Sequence, residues 1–347
     1  MNNEQLPAGL ILRDTYTIVR HLGSGAFGDV YLARHRFMGL QALKVFSLNN
    51  GLNALEEAFL LSKLGHPNIV RMFEANEFTH DDTKYGYFSM EYVEGGTLHD
   101  IIGNKIPIGE RICLGNNILS GLAYAHLQTP PIIHRDISPT NILIDRWNGS
   151  LRAKIADFGL AKHVDPESLA ASAGGKYVYM APESFLGKHS TATDVYSAGI
   201  VLFELLTGRH PFQIALSASA TSAELATVVR KSRSQLIPNA ADVCPDLDLR
   251  WNRFFQDALV HDFESRPSNA QGLLKRFVET ASPSPAVSEE DQVVDAPALV
   301  AEAKQLAEDS DGLQDAILAL EKACRLDPEI RSRYSDLLSL WKRGIIL

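Results

Sequence analysis

The stretch Ile133-His134-Arg135-Asp136-Ile137-Ser138-Pro139-Thr140-Asn141, followed sixteen residues after Asn141 by Asp157-Phe158-Gly159, decides the fold. Three polar groups of complementary chemistry stand within it. Asp136 is a carboxylate placed to accept a proton from an attacking hydroxyl and orient it. Asn141 offers an amide oxygen, and Asp157 a second carboxylate, as ligands for Mg2+. Magnesium suits this set because it takes oxygen ligands only and retains waters. Between the two ligands, Asp145-Arg146-Trp147-Asn148-Gly149-Ser150 carries an Asn-Gly turn, which predicts a β-hairpin that lays the two loops side by side. His134 is a candidate metal ligand or base by residue type; the reading preferred here gives it a packing role behind Phe158.

Working toward the N-terminus, Leu22-Gly23-Ser24-Gly25-Ala26-Phe27-Gly28-Asp29-Val30 lies between two strand-like runs, TYTIVRH and VYLARH. Glycines at this spacing let a hairpin lie flat over a triphosphate, since a Cβ would block approach of the backbone N–H groups. The alternatives are an ordinary tight turn or a dinucleotide fingerprint. The latter needs a helix directly after the glycines, and here a strand follows. Lys44, in Ala42-Leu43-Lys44-Val45, sits on the next apolar strand, where a buried ammonium needs a carboxylate. Taken alone it reads as an edge-strand lysine with its head in water. Glu57, on the following helix-like segment and nine residues before His66-Pro67-Asn68, is the expected partner, holding the amine against the α- and β-phosphates. Glu56 points about 100° away around such a helix.

The pattern from Tyr16 to Tyr92 is one of short β-branched and aromatic runs, with a helical interruption from Asn53 to Leu64. Helical periods then dominate at 110–126, 194–206, 222–231, 251–261 and 268–280. The expected organisation is an N-terminal extension over 1–15 and a two-lobed domain over 16–280, with a small β-rich lobe at 16–92 and a larger helical lobe at 93–280. A Ser/Pro/acid-rich linker over 281–297 and a helical tail over 298–347 follow. In the tail, Ala316, Leu320, Ala323 and Pro328 match half of a tetratricopeptide-type hairpin, one degenerate repeat. A net charge of −9 argues against nucleic-acid or anionic-membrane binding. The N-terminus lacks the basic leader and apolar run of a secretory signal, and the apolar stretch at 198–206 is too short to span a bilayer. Cys113, Cys244 and Cys324 are too dispersed for a metal site and read as reduced core thiols, which favours a cytoplasmic location.

The order Gly-rich loop, strand lysine, helix glutamate, His-Arg-Asp with Asn, Asp-Phe-Gly, and Ala181-Pro182-Glu183 resembles the eukaryotic-like (Hanks-type) serine/threonine protein kinases over roughly 16–280. The resemblance implies an α+β, two-lobed fold with ATP in the cleft and Mg2+ as cofactor. It implies a hinge at Met90-Glu91-Tyr92-Val93, where the Glu91 carbonyl and Val93 N–H pair with adenine. Leu22, Val30, Ala42 and Leu143 would sandwich the base. Asp194 would cap the catalytic loop, and Arg266 would pair with Glu183.

The chain departs from that family at two positions. Where most members carry a lysine two residues after the catalytic Asp, this chain has Ser138. Where they carry a threonine late in the activation segment, it has Lys176. The expectation is an exchange, with Lys176 supplying the ammonium and Ser138 the hydroxyl; the alternative is drift toward a weak enzyme. Pro139, Thr140 and Tyr179-Met180 favour Ser/Thr over Tyr acceptors. Ser168 and Ser172, the hydroxyls of the segment 160–175, are expected autophosphorylation sites facing Arg135. The expected activity is transfer of the ATP γ-phosphoryl to protein hydroxyls. Competing classes are a pseudokinase scaffold acting through its tail, which has no need of Lys44, Glu57, Asp136, Asn141 and Asp157 together, and a small-molecule phosphotransferase, which lacks the Ala-Pro-Glu segment. Protein substrates, and a partner for the C-terminal helices, are the implied ligands.

Overall fold

The computed structural model describes residues 5–25, 28–48, 64–147, 149–158, 176–212, 214, 222–233, 235–282, 296–307 and 313–342. Internal packing divides the chain into two units, Met1–Ser282 and Pro283–Leu347.

In the first unit a six-stranded antiparallel sheet runs in the order β1-β2-β3-β4-β6-β5, from β1 (Ile11–Leu12), β2 (Tyr16–Gly25), β3 (Gly28–His35), β4 (Gly39–Ser47), β5 (Met72–His80) and β6 (Thr83–Glu91). Its residues divide by the period of two that pleating imposes. Tyr31, Ala33, Leu43, Val45 and Tyr87 fill a core with Tyr16, Ile18 and Phe78, while Val30, Leu32, Ala42 and Lys44 take the opposite face. The stretch before Tyr16 joins this lobe. Leu6 and Leu12 are buried in the same core, Ile18 donates its N–H to Leu10 O, and Arg13 and Asp14 turn the chain at φ 49° and 55°. Asn and Asp tolerate that left-handed region better than most residues, so a turn without glycine was not marked in the sequence.

The larger lobe is built on α2 (Ile108–His126) and α3 (Thr191–Thr207), preceded by the one-turn α1 (Leu98–Ile101). Helices α4 (Ser222–Ser232), α5 (Ala240–Val243), α6 (Arg250–Ala258) and α7 (Ala270–Ala281) pack beyond them. Every residue from Ala192 to Phe203 is buried, so α3 is the central helix, and Gly208 at φ 73° closes it. Gly115 and Gly121 let α2 approach its neighbours: a Cβ would lie 2.6 Å from the Phe277 ring at the first and 2.6 Å from Asn68 O at the second. Cys113 is a correction to the sequence reading. It is exposed, about 100° around α2 from buried Leu114, and only Cys244 and Cys324 are buried.

The second unit contains α8 (Ala296–Leu306), α9 (Leu313–Leu326) and α10 (Pro328–Lys342). Ala303, Ala316, Leu320 and Ala323 are fully buried among Leu299, Ile317 and Trp341, and small side chains at these places let helices approach closely. Asp327 accepts the Glu329 N–H at 2.8 Å and caps α10. Among the described residues no helix is long and apolar enough to cross a membrane.

Candidate active site

Strands β7 (Ile142–Trp147) and β8 (Ser150–Ile155) form the hairpin expected between the two polar loops, with Trp147 opposite Ser150 and Gly149 at φ 83°. Asn148 lies outside the described residues. The hairpin is fastened at both ends. Ile144 donates to Gly96 O at 2.9 Å, and Gly95 passes so close that a Cβ there would meet Ile144 O at 2.2 Å. Ala156 donates to Asn141 O at 2.8 Å, which joins the Asp136 loop to the Asp157 loop.

Asp136 and Asn141 meet directly. The Asn141 amide nitrogen donates to Asp136 O at 2.7 Å and to Asp136 Oδ2 at 2.8 Å, so the amide oxygen is turned away from both. The loop's backbone is held from below by buried Asp194, which accepts the N–H of His134 at 2.6 Å, that of Arg135 at 2.8 Å and a contact from His126 Nε2 at 3.0 Å. These bonds hold Arg135 at φ 69°, a conformation that costs a non-glycine residue about 1 kcal/mol or more. Burial pushes the Asp194 carboxyl up, but the His126 hydrogen bond, the His126 and His134 rings and the His134 N–H outweigh it and keep it below the ordinary carboxylate value. The fully buried His134 ring packs 4.6 Å from Phe158 and bonds through Nε2 to Ala156 O at 2.8 Å, the packing role read from the sequence.

Lys44 arrives from the sheet. It pairs with Phe88 on β6 and Val30 on β3, and its Nζ donates to Asp157 Oδ1 at 2.8 Å. Asp157 sits at φ 59° and is about one-third exposed, facing the cleft. Glu57, its neighbour Glu56 and the helix expected at 53–64 lie almost wholly outside the described residues, as do Ala26, Phe27, Ser168 and Ser172. Ala42 shares the Lys44 face of β4, and Leu143 lies opposite Lys154 on the hairpin below. The sheet ladder ends at Glu91, so Tyr92 and Val93 leave it with backbone groups outside the strand pattern. In the Gly-rich loop, a Cβ on Gly28 would strike Val45 O at 2.0 Å, so only glycine fits. A Cβ on Gly23 would meet nothing within 4 Å, which leaves that face of the loop open. Ser24 Oγ is drawn aside to Asp29 Oδ1 at 2.5 Å. Ser138 is buried, with its Oγ 3.1 Å from Thr140 Oγ1; Lys176 opens a short turn at 176–179.

The fit to Mg2+ rests on donor chemistry. Among the described residues no cluster of three His, Cys, Asp or Glu could cage an ion. Asp157 and Asn141, whose amide oxygen is turned away from Asp136, are the residues that would hold Mg2+, a sparse oxygen set that phosphates and water would complete.

Two features escaped the sequence reading. Lys154 on β8 donates to both oxygens of Glu91 at 2.7 and 3.0 Å and so ties the hinge to the hairpin. The argument applied to Lys44, a lysine in an apolar strand, would have found it. Arg233, buried after α4, had no such signal.

Residues 16–278 match the protein kinase domain family. The chain is 33% identical over 287 residues to "Probable serine/threonine-protein kinase PknB" of Lactococcus lactis, covering 79% of this chain and 43% of the relative. It is 33% identical over 267 residues to "Serine/threonine-protein kinase ATG1a" of Arabidopsis thaliana, covering 73% and 42%. The chain thus spans less than half the length of these curated relatives. Among solved structures, the PknI kinase domain of Mycobacterium tuberculosis aligns with TM-score 0.58 and 26% identity over 80% of this chain and all of that one. Sheet, helical lobe and cleft agree with that neighbour, and the chain belongs to the protein kinase domain family.

Proposed function

We propose that this chain transfers the γ-phosphoryl group of ATP to serine or threonine hydroxyls of proteins, with Asp136 as the proton acceptor. The observation that carries the reading is two bonded pairs, Lys44 with Asp157 and Asn141 with Asp136, at 2.7–2.8 Å, on loops joined by the Ala156 N–H to Asn141 O. The Asn141 amide keeps the Asp136 carboxylate oriented, so that a hydroxyl held against its other oxygen gives up its proton as attack proceeds. Lys44 is a pre-positioned cation: its contact with Asp157 would be exchanged for phosphate oxygens, releasing the carboxylate toward the metal. When bound, Mg2+ supplies neutralisation of charge on the β- and γ-phosphates. Val30, Ala42 and Leu143 would clasp the adenine, with Glu91 and Val93 offering backbone groups at its edge. The Ser/Thr acceptor class follows the names of the relatives and the Pro139-Thr140 and Tyr179-Met180 pattern. The three-helix tail we read as one degenerate tetratricopeptide-type hairpin with a preceding helix, suited to a protein partner.

Label transfer from ATP decides the reading. Asp136→Asn should lower turnover by about 10²–10⁴-fold, the usual share of a positioned base, with ADP affinity unchanged. Equal labelling by wild type and variant would defeat it. The exchange of Ser138 and Lys176 is tested separately: Lys176→Ala should depress kcat, and a kcat within about threefold of wild type, roughly 0.7 kcal/mol of barrier, would rule the exchange out.

A further inference from the structure

Arg233 is buried, at 4% exposure, immediately after α4, yet among the described residues it meets no carboxylate. Its Nη2 donates to Val178 O, to Met180 O at 3.1 Å and, at the limit of bonding, to Tyr177 O at 3.5 Å; its Nε donates to Met180 O at 3.3 Å. Its carbon centre lies 4.7 Å from the Phe212 ring centroid and 5.7 Å from that of Tyr196, and among the described residues buried Nη1 has no hydrogen-bond partner. Burial brings the guanidinium down to about 10, partly countered by Tyr196, so it remains a cation at neutral pH.

The carbonyls it collects belong to one short turn. The turn Lys176–Tyr179 ends with Met180 N–H donating to Tyr177 O at 3.1 Å, and beyond it the chain leaves the helical path, so the carbonyls at its end look outside the turn for donors. Val178 O is taken twice, by Arg233 and by His210 Nε2 at 2.9 Å. His210, whose imidazole burial holds below its ordinary value, sets Nε2 against Val178 O and Nδ1 between Phe212 O at 3.0 Å and Phe212 N at 3.2 Å. The turn thus has its carbonyls drawn inward, while Val178, Tyr179 and Met180 remain partly exposed directly before Ala181-Pro182-Glu183.

A buried cation without an anion is a poor source of stability, since desolvation offsets most of what carbonyl dipoles and rings return. What it does supply is geometry: Nε and Nη2 of one rigid planar group gather the carbonyls of Val178 and Met180, with Tyr177 O at the limit, and so hold neighbouring peptide groups of a short turn. From this arrangement we infer that Arg233 is a positioning residue that sets the backbone of residues 177–180 for the docking of the protein substrate. The inference rests on the kinase reading above and adds to it a residue remote from the nucleotide cleft.

The test measures three quantities on the full chain, wild type, Arg233→Met and Arg233→Lys: KM for dephosphorylated casein, kcat, and the Kd of ADP, which lacks the γ-phosphate that Lys176 would reach. Arg233→Met should raise the casein KM about tenfold or more with the ADP Kd within twofold. Arg233→Lys, which keeps the charge but not the fork, should fall between. A casein KM and kcat within twofold of wild type in Arg233→Met would overturn the inference. So would loss of ADP binding in step with casein binding in both variants, which marks a general brace. Should Arg233→Met fail to fold, Arg233→Lys is judged by the same two criteria. Equal labelling by wild type and Asp136→Asn would remove the kinase reading and this inference with it, whereas an active wild type and a silent Asp136→Asn leave Arg233 to stand or fall on its own numbers.

Discussion

The two lobes of the first unit hold their buried polar groups by different means. Among the described residues the larger lobe buries charge and spends it on backbone: Asp194 on two catalytic-loop N–H groups, Arg266 on three carbonyls besides Glu183, Arg233 on the turn before Ala181. Among its described residues the small lobe buries a single charge, Lys44, and positions it by strand register; its other described buried polar groups are neutral, such as Gln41, Ser89 and the tyrosines 16, 31 and 87. The difference follows from what each lobe must fix. A sheet already satisfies its peptide groups through its ladder, so a side chain can be aimed by choosing its place in the strand. Loops have no ladder, and charged side chains stand in for one. The larger lobe should therefore lose stability and activity together and steeply, whereas the sheet should tolerate polar substitutions on its core face with little effect on turnover.

The largest break in that contrast comes at Arg266. Its Nη1 and Nη2 meet the Glu183 carboxylate at 2.6 and 3.0 Å, with both side chains buried. Arg266→Met leaves Glu183 as a lone buried anion and should cost about 3–5 kcal/mol in urea unfolding. Adding Glu183→Leu should restore part of that loss, though not all, because the carbonyls of Ala192, Val260 and His261 also lose their donor. A single variant within about 1 kcal/mol of wild type would show that charge does not organise this lobe.

Asp194→Asn comes next, at about 2–3 kcal/mol, because an amide of the same shape turns a donor toward one of two N–H groups that need acceptors. Here kcat should fall further than stability, since Arg135 no longer has both bonds that hold its left-handed backbone. Equal proportional losses in folded fraction and in kcat would reduce Asp194 to a structural brace.

These two residues were legible through the resemblance to the kinase family, which implied Asp194 beneath the loop of Asp136 and Arg266 against Glu183. The Asn-Gly hairpin was legible because local chemistry fixes local geometry there; the bond from Asn141 to Asp136 was not, since the sequence suggested only a metal-ligand role for Asn141. The strap over 5–15 was not legible as part of the sheet. A two-residue strand offers too short an alternation to read, and its turn uses Arg13 and Asp14 in place of glycine. Arg233 was hidden for another reason: its partners are carbonyls, which every residue carries, so no residue type at any spacing announces them. The Lys44 contact fell between. A carboxylate partner was demanded by burial, and Asp157 meets it here, a pairing across 113 positions that strand periodicity cannot supply.

The smallest expected effect separates the lobes by pH. Burial lowers the imidazoles of His66, His189 and His210 below the ordinary value of 6.5, and all three lie outside the small-lobe sheet. Burial raises the phenols of Tyr16, Tyr31 and Tyr87 above 10.0 within it, and those of Tyr177, Tyr179 and Tyr196 in the larger lobe as well, so acid separates the lobes and alkali does not. For the histidines the unfolded chain takes up protons first as pH falls, so their contribution is complete above about 6.5 and is lost on descending through that value toward the lower folded ones. For the tyrosines the unfolded chain gives up protons first as pH rises, so theirs is complete below about 10 and is lost above it. Acid should therefore speed hydrogen exchange of the turn 177–180, where burial opposes protonation of the His210 ring that meets Val178 O. Alkali should speed exchange in β2, β3 and β6 and in that turn alike. His210→Gln should flatten the acid limb for that turn and leave the alkaline limb of the sheet unmoved, since an amide can still donate to Val178 O and has no proton to gain near neutrality. Parallel changes in both lobes at both extremes would mean that the unit responds as one cooperative body and that the difference between its lobes ends at their contacts.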